Sequence, residues 1–140
     1  VIPGFLHIKE VSHPGLTEII TVETMHERKA LIEKMCDAAI ALRGGFGTLD
    51  ELFEMLTWGQ LGLHDKPVGI LNTNGFYDQI LAAVDRMVEE GFLNDLNRVM
   101  LLVSEQMEEL FERMTNYSPP SVRKWIMNGD PDKDIPFKGA

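Results

Sequence analysis

The stretch of sequence that decides the fold is Ala38-Ala39-Ile40-Ala41-Leu42-Arg43-Gly44-Gly45-Phe46-Gly47-Thr48-Leu49-Asp50-Glu51. Its apolar beginning predicts a buried β-strand, and the apolar residues around Glu51 continue at helical spacing. A glycine-rich loop between a strand and a helix N-terminus presents backbone N–H groups to a phosphate. Glu51 falls in the first turn of the predicted helix, so the stretch predicts chemistry on a nucleotide or sugar phosphate.

Short apolar strands alternate with amphipathic helices along the chain. Strands are predicted at 19–22, 38–42, 68–71 and 99–103, and helices at 25–36, 48–61, 77–90 and 105–114. Gly91 provides a stop for the third of these helices. The alternation predicts an α/β fold, in which a parallel sheet has helices on both faces. We expect one domain over residues 1–126 and a flexible C-terminal tail over 127–140.

Composition narrows the class of protein. A chain of 140 residues with 44% hydrophobic content can bury a core, and the net charge of -9 argues against general nucleic-acid binding. The single Cys36 excludes an internal disulfide. No stretch approaches the roughly 20 apolar residues that cross a bilayer, and no signal peptide is visible. We therefore expect a cytoplasmic protein without a membrane partner.

The three loop glycines, Gly44, Gly45 and Gly47, can take positive φ and leave no Cβ between the backbone amides and a ligand oxygen. Thr48 adds a hydroxyl donor. The alternative is a capping box, in which Thr48 and Glu51 only satisfy backbone amides. The loop lacks the Gly-Lys-Ser/Thr of a Walker A motif and the third glycine of a dinucleotide fingerprint. It therefore predicts a phosphate site of neither kind.

Arg28 is the second candidate. At helical spacing it lies in line with Met25, Ile32 and Met35, on or beside an apolar face. An arginine there either forms a salt bridge or extends its head to water, or it meets an anion at the carboxyl edge of the sheet. No metal site is predicted, because metal-ligand spacing is lacking among His7, His13, His26 and His64.

Two separated motifs resemble the paired signature of one family. They are Met25-His26-Glu27-Arg28-Lys29 and Gly44-Gly45-Phe46-Gly47-Thr48-Leu49-Asp50-Glu51, and the match continues to Gly69. The chain resembles the LOG (Lonely Guy) family of cytokinin riboside 5'-monophosphate phosphoribohydrolases, also labelled possible lysine decarboxylases. The resemblance covers about Val1 to Ile126.

The resemblance implies a Rossmann-like fold, usually dimeric or of higher homo-oligomeric order, that hydrolyses the N-glycosidic bond of a nucleoside 5'-monophosphate. Arg28 and Glu51 match the family's catalytic pair. The phosphate would be held by Gly45, Gly47 and Thr48, with Gly44 shaping the loop. The other matched positions, which line the nucleotide site, are Glu10, Lys29 and Thr57. No metal or redox cofactor is implied.

The chain also departs from the family pattern. Arg43 stands where the family usually has proline, and we expect the family's N-terminal βαβ segment to be missing. Such a piece would expose a sheet edge and apolar surface. Two other hypotheses remain open at this point: a broader purine monophosphate nucleosidase, and a nucleotide- or molybdenum-cofactor-binding carrier without catalysis.

Overall fold

The computed structural model describes residues 1–7 and 15–120. The chain divides into two compact units, Val1–Asp37 and Ala38–Ala140. Glu10 and the tail predicted over 127–140 lie outside the described residues.

The first unit contains two short parallel strands and two helices. These elements are β1 (Ile2–Pro3), α1 (Gly4–His7), β2 (Thr21–Val22) and α2 (Met25–Met35). Ile2 lies opposite Thr21 in the strand pair. Helix α2 begins with a capping arrangement: the Glu27 N–H donates to the Thr24 hydroxyl, and the Glu23 N–H donates to the Glu27 carboxylate. The N-terminus of α2 is therefore fixed by its own sequence.

The apolar face predicted for α2 is not buried. Met25, Ile32 and Met35 are exposed, and the described helix contains no buried residue. The apolar face on or beside which Arg28 is predicted to lie is therefore exposed within this unit. The physical reason is that two strands of two residues each offer little surface for a helix to pack against.

The second unit is built on a parallel sheet in the order β3-β4-β5. The strands are β3 (Ala39–Ala41), β4 (Val68–Leu71) and β5 (Leu101–Ser104), and the helices are α3 (Phe46–Gln60), α4 (Asp78–Glu89), α5 (Asp95–Arg98) and α6 (Met107–Thr115). Val68 lies opposite both Ala39 and Leu101, which sets the register. Because the strands are parallel, their carboxyl ends meet at one edge of the sheet.

Helices cover both faces of the central strand β4. Val68 and Ile70 pack in one cluster with Leu52 of α3, whereas a Cβ at Gly69 would meet Leu110 of α6 at 3.0 Å. Successive strand residues point to opposite faces, so this alternation places α3 and α6 on opposite sides. Burying the side chain of Ile70 alone stabilises the fold by about 1.5–3 kcal/mol. The predicted α/β fold, with parallel sheets flanked by helices, is confirmed.

Several element boundaries differ from the prediction, among them the starts of α3 and of the last strand. Helix α3 begins at Phe46, two residues earlier than predicted, because Gly45 and not Thr48 is its N-cap. The short helix α5 was not predicted, and it delays the last strand to Leu101. The stop at Gly91 is confirmed by its φ of 78°. None of the helices in residues 1–7 and 15–120 is long and apolar enough to span a membrane.

Candidate active site

The glycine-rich loop joins β3 to the N-terminus of α3. The N-cap Gly45 provides no side chain, and its carbonyl accepts the first helical hydrogen bond, from the Leu49 N–H at 3.1 Å. Helix geometry leaves the preceding N–H groups of Phe46, Gly47 and Thr48 without an acceptor inside the helix. The helix dipole adds partial positive charge at the same point. This end of α3 can therefore bind an anion.

The loop glycines serve different purposes, and none of the three uses the positive φ that glycine allows. Among the described glycines, positive φ occurs at Gly62, Gly75 and Gly91. A Cβ at Gly44 would lie 2.1 Å from the Thr48 hydroxyl, so Gly44 is required for packing. A Cβ at Gly45 or Gly47 would meet nothing within 4 Å. Those two glycines leave the backbone amides open to a ligand.

Glu51 is the sixth residue of α3, so it lies in the second helical turn and not in the first as predicted. The capping-box interpretation of Thr48 and Glu51 is wrong, since Thr48 is already helical. The Glu51 side chain is exposed and follows Gly47 by four residues, which places both on one side of the helix. The carboxylate therefore lies about one turn from the open amides.

Thr57 also lies on α3, but farther from the loop. Its hydroxyl donates to the Phe53 carbonyl at 2.7 Å. Six residues separate it from Glu51, which corresponds to about 9 Å along the helix axis and about 120° around it. Helix α3 alone does not bring Thr57 beside Glu51, and its predicted role in the nucleotide site stays a prediction.

Arg28 and Lys29 follow one another in α2 of the first unit, and both are half-buried. The Arg28 Nε donates to the Val1 carbonyl at 3.3 Å, so part of the guanidinium is held by the backbone next to β1. Arg28 and Glu51 belong to different units. Their pairing stays a prediction.

Two further side chains lie in or beside the loop. Arg43 is exposed directly before Gly44 and is a cation beside the anion-binding helix end. The Phe46 side chain is 94% exposed at the first position of α3.

Buried polar residues at the carboxyl edge of the sheet were missed in the sequence. Asn72 directly follows β4 and is 5% exposed, and Ser104 ends β5 at 6%. In the sequence, Asn72 stands between an apolar strand and a turn, and a polar residue at a strand end could have been identified as a candidate for the site.

Comparison with known proteins places the chain in a family. A family model described as "possible lysine decarboxylase" matches residues 1–114. The chain belongs to this family. The predicted membership of the LOG family is confirmed by this family model and by the curated relatives.

Curated relatives carry the name cytokinin riboside 5'-monophosphate phosphoribohydrolase. LOG2 and LOG1 of Arabidopsis thaliana are each 44% identical to this chain, over 119 and 132 residues. These matches cover 85% and 91% of this chain, but 56% and 62% of the relatives. LOGL2 of Oryza sativa subsp. japonica, named as a probable enzyme of this kind, is 44% identical over 91% of this chain and 54% of its own length.

The chain spans about half the length of the curated relatives it matches. These three relatives are named as hydrolases and not as carriers.

Proposed function

We propose that the protein hydrolyses the N-glycosidic bond of a nucleoside 5'-monophosphate, a cytokinin riboside 5'-monophosphate or AMP, to a free base and ribose 5-phosphate. The observation that carries the proposal is the open N-terminus of α3 with the Glu51 carboxylate one turn further along the helix. The choice of reaction is supported by the names of the relatives.

The substrate phosphate binds at the loop. The N–H groups of Gly47 and Thr48 and the Thr48 hydroxyl donate to its oxygens, and Gly45 leaves room for the phosphate to approach. Gly44 shapes the loop by its contact with Thr48. Arg43 adds a positive charge from the exposed side of the loop. The phosphate then fixes the ribose relative to α3.

The reaction breaks the bond between ribose C1' and the base nitrogen. The electron pair leaves with the base, which takes up a proton, and positive charge develops on the ribose ring as in glycoside hydrolysis. The oxygen of a water molecule bonds to C1', and its proton passes to the Glu51 carboxylate. The same carboxylate stabilises the charge on the ring before water attacks. Solvent supplies the proton that the base takes up, and Glu51 returns its proton to solvent, so the hydrolysis consumes one water molecule and no other reactant.

The remaining predicted residues complete the site. Arg28 holds the Glu51 carboxylate or binds the anionic end of the substrate. The nucleotide is further lined by Glu10, Lys29 and Thr57. This arrangement requires residues 1–126 to act as one domain, and we include in the proposal that the protein is a cytoplasmic homodimer or higher homo-oligomer.

Release of free base tests the proposal. The protein is incubated with AMP and with isopentenyladenosine 5'-monophosphate, and the free base is quantified by chromatography. Glu51→Gln should lower release by about 100-fold or more, since general base catalysis contributes at least that factor. Asp50→Asn is the matched control, because it removes the same charge from the neighbouring exposed position of α3.

The outcomes separate the hypotheses. Release that is lost in Glu51→Gln and kept in Asp50→Asn supports the hydrolase, and the ratio of the two substrate rates separates cytokinin activation from general purine monophosphate hydrolysis. Release that is equal in Glu51→Gln and the unmodified protein contradicts the role of Glu51. Binding of a non-nucleotide phosphate without turnover would favour a carrier.

A further inference from the structure

Tyr77 connects the core of the second unit to the start of the glycine-rich loop. Its side chain is 1% exposed, and its hydroxyl donates to the Leu42 carbonyl at 2.6 Å, across 35 residues of sequence. Leu42 is the residue between β3 and Arg43. Because a peptide unit is planar, fixing the Leu42 carbonyl also fixes the direction of the Arg43 N–H. The tyrosine therefore sets the first peptide plane of the loop.

The position of Tyr77 is itself set by Asn72. The Tyr77 N–H donates to Asn72 Oδ1 at 2.7 Å, and Asn72 Nδ2 donates to Asp78 Oδ1 at 2.7 Å. The Asn72 N–H donates to the Ser104 carbonyl at 2.8 Å. These hydrogen bonds link the carboxyl ends of β5, β4 and β3 in one chain of contacts that ends at Leu42. The loop is therefore positioned from the interior of the sheet.

The glycine-rich loop has few other restraints on the side where it leaves strand β3. Its glycines contribute no side chains, and its N-cap makes no side-chain hydrogen bond. On the helix side, Thr48 packs against Gly44. On the strand side, the contact from Tyr77 holds the carbonyl at which the loop begins. The hydroxyl is not needed to fill the core, since a phenylalanine ring would occupy nearly the same volume.

We propose that Tyr77 is a positioning residue that orients the phosphate-binding loop through the Leu42–Arg43 peptide. The consequence for catalysis rests on the proposed function, in which this loop holds the substrate phosphate. Without the hydroxyl, the Leu42 carbonyl can rotate, and the amides that follow it no longer have one fixed direction.

The test compares Tyr77→Phe with Val84→Ala. Val84 is a buried residue of α4, the helix whose N-cap is Tyr77, and its truncation lowers stability without removing a hydrogen bond. The first readout is the set of backbone amide chemical shifts of Arg43, Gly44 and Gly45 in the ligand-free protein. The second is the Kd for inorganic phosphate from titration of the same amides, and the third is the split between KM and kcat for base release from AMP.

Tyr77→Phe should move the ligand-free shifts and raise the Kd for phosphate about five- to tenfold, the factor that corresponds to one ordinary hydrogen bond. KM should rise more than kcat falls. Val84→Ala should leave the shifts and the Kd unchanged although it unfolds more easily. Unchanged loop shifts in Tyr77→Phe, or equal changes in both variants, would overturn the proposal.

The outcome also separates this inference from the proposed function. If the unmodified protein releases no base while Tyr77→Phe alone moves the loop shifts, the positioning role stands and the hydrolase proposal fails. If base release occurs and Tyr77→Phe leaves the loop shifts and the Kd as they are, the hydrolase proposal stands and the positioning role fails.

Discussion

Gly44→Ala should damage the loop because an added Cβ has no room beside Thr48. The added Cβ would lie 2.1 Å from Thr48 Oγ1 and 2.9 Å from Thr48 Cβ, whereas ordinary contacts begin at 3.4 Å. The hydroxyl can rotate away, but Thr48 Cβ is attached to the helix backbone and must move with it. Loop and helix start therefore separate by roughly 0.5–1 Å. Overpacking of this kind costs about 1–3 kcal/mol, and a displacement near 1 Å lowers the rate by about 100-fold.

Urea unfolding and base release, measured on the same preparations, check this prediction. Gly47→Ala is the matched control, because a Cβ there meets nothing within 4 Å and lies in a helix. Alanine in a helix is more favourable than glycine by about 0.5–1 kcal/mol, so this variant should be as stable as the unmodified protein or slightly more so. Its methyl group nevertheless occupies the space beside the open amides, so phosphate affinity should fall.

The two variants are expected to differ in stability: Gly44→Ala loses stability together with activity, whereas Gly47→Ala keeps its stability and loses phosphate affinity, and with it base release. Adding Thr48→Ala to Gly44→Ala removes the closest atom and should restore part of the lost stability. If Gly44→Ala unfolds at the same urea concentration as the unmodified protein, the packing of Gly44 against Thr48 does not determine the loop geometry. If Gly47→Ala binds phosphate normally, the loop amides are not the phosphate site.

Three further predictions concern the rest of the second unit. Arg43→Ala should weaken inorganic phosphate binding about fivefold at low salt and less at high salt, because salt screens the charge of the exposed guanidinium. Calorimetric titration at two salt concentrations checks this prediction, and a loss of affinity that does not depend on salt would contradict it. The Ser104 hydroxyl and the Arg113 guanidinium hold the pKa of the Glu109 carboxyl below its usual range. The resulting stabilisation is complete above the unfolded-state pKa and is lost as pH falls through the folded-state pKa. The free energy of unfolding of Glu109→Gln, measured by denaturation at several pH values, should therefore fall less steeply in acid than that of the unmodified protein. An equally steep fall would refute the role of these contacts. Gly91→Ala should cost about 1 kcal/mol in chemical denaturation, because its φ is 78° and its Cβ site is otherwise empty; a variant of equal stability would show that the turn relaxes.

Part of the fold follows from local sequence. Val68–Leu71 is a strand as predicted, because an apolar run after Lys66-Pro67 has few other conformations that bury it. Helix α4 extends over Asp78–Glu89, within one residue of the prediction at each end, since its apolar spacing and Gly91 agree.

Local spacing fails where the same pattern has two uses. Thr24 and Glu27 have the spacing of a capping box, and the Glu27 N–H donates to the Thr24 hydroxyl, whereas Thr48 and Glu51 have the same spacing and Thr48 is not the N-cap of its helix. The difference is that Gly44, through its contact with Thr48, allows α3 to start earlier. The contact between Tyr77 and Leu42 has no sequence signal, because it depends on the parallel pairing of distant strands.

The exposed ring of Phe46 makes ligand binding at the loop detectable by proteolysis. The bond after Phe46 lies in the first turn of α3, and a protease specific for aromatic residues can cut it when this helix end opens. Phe92 is 84% exposed after the Gly91 turn and provides a second cleavage point in the same unit. A ligand at the amides of α3 closes the first site and leaves the second open. The ratio of cleavage at Phe46 to cleavage at Phe92 therefore reports how much of the loop is occupied by ligand, whether or not the protein hydrolyses that ligand.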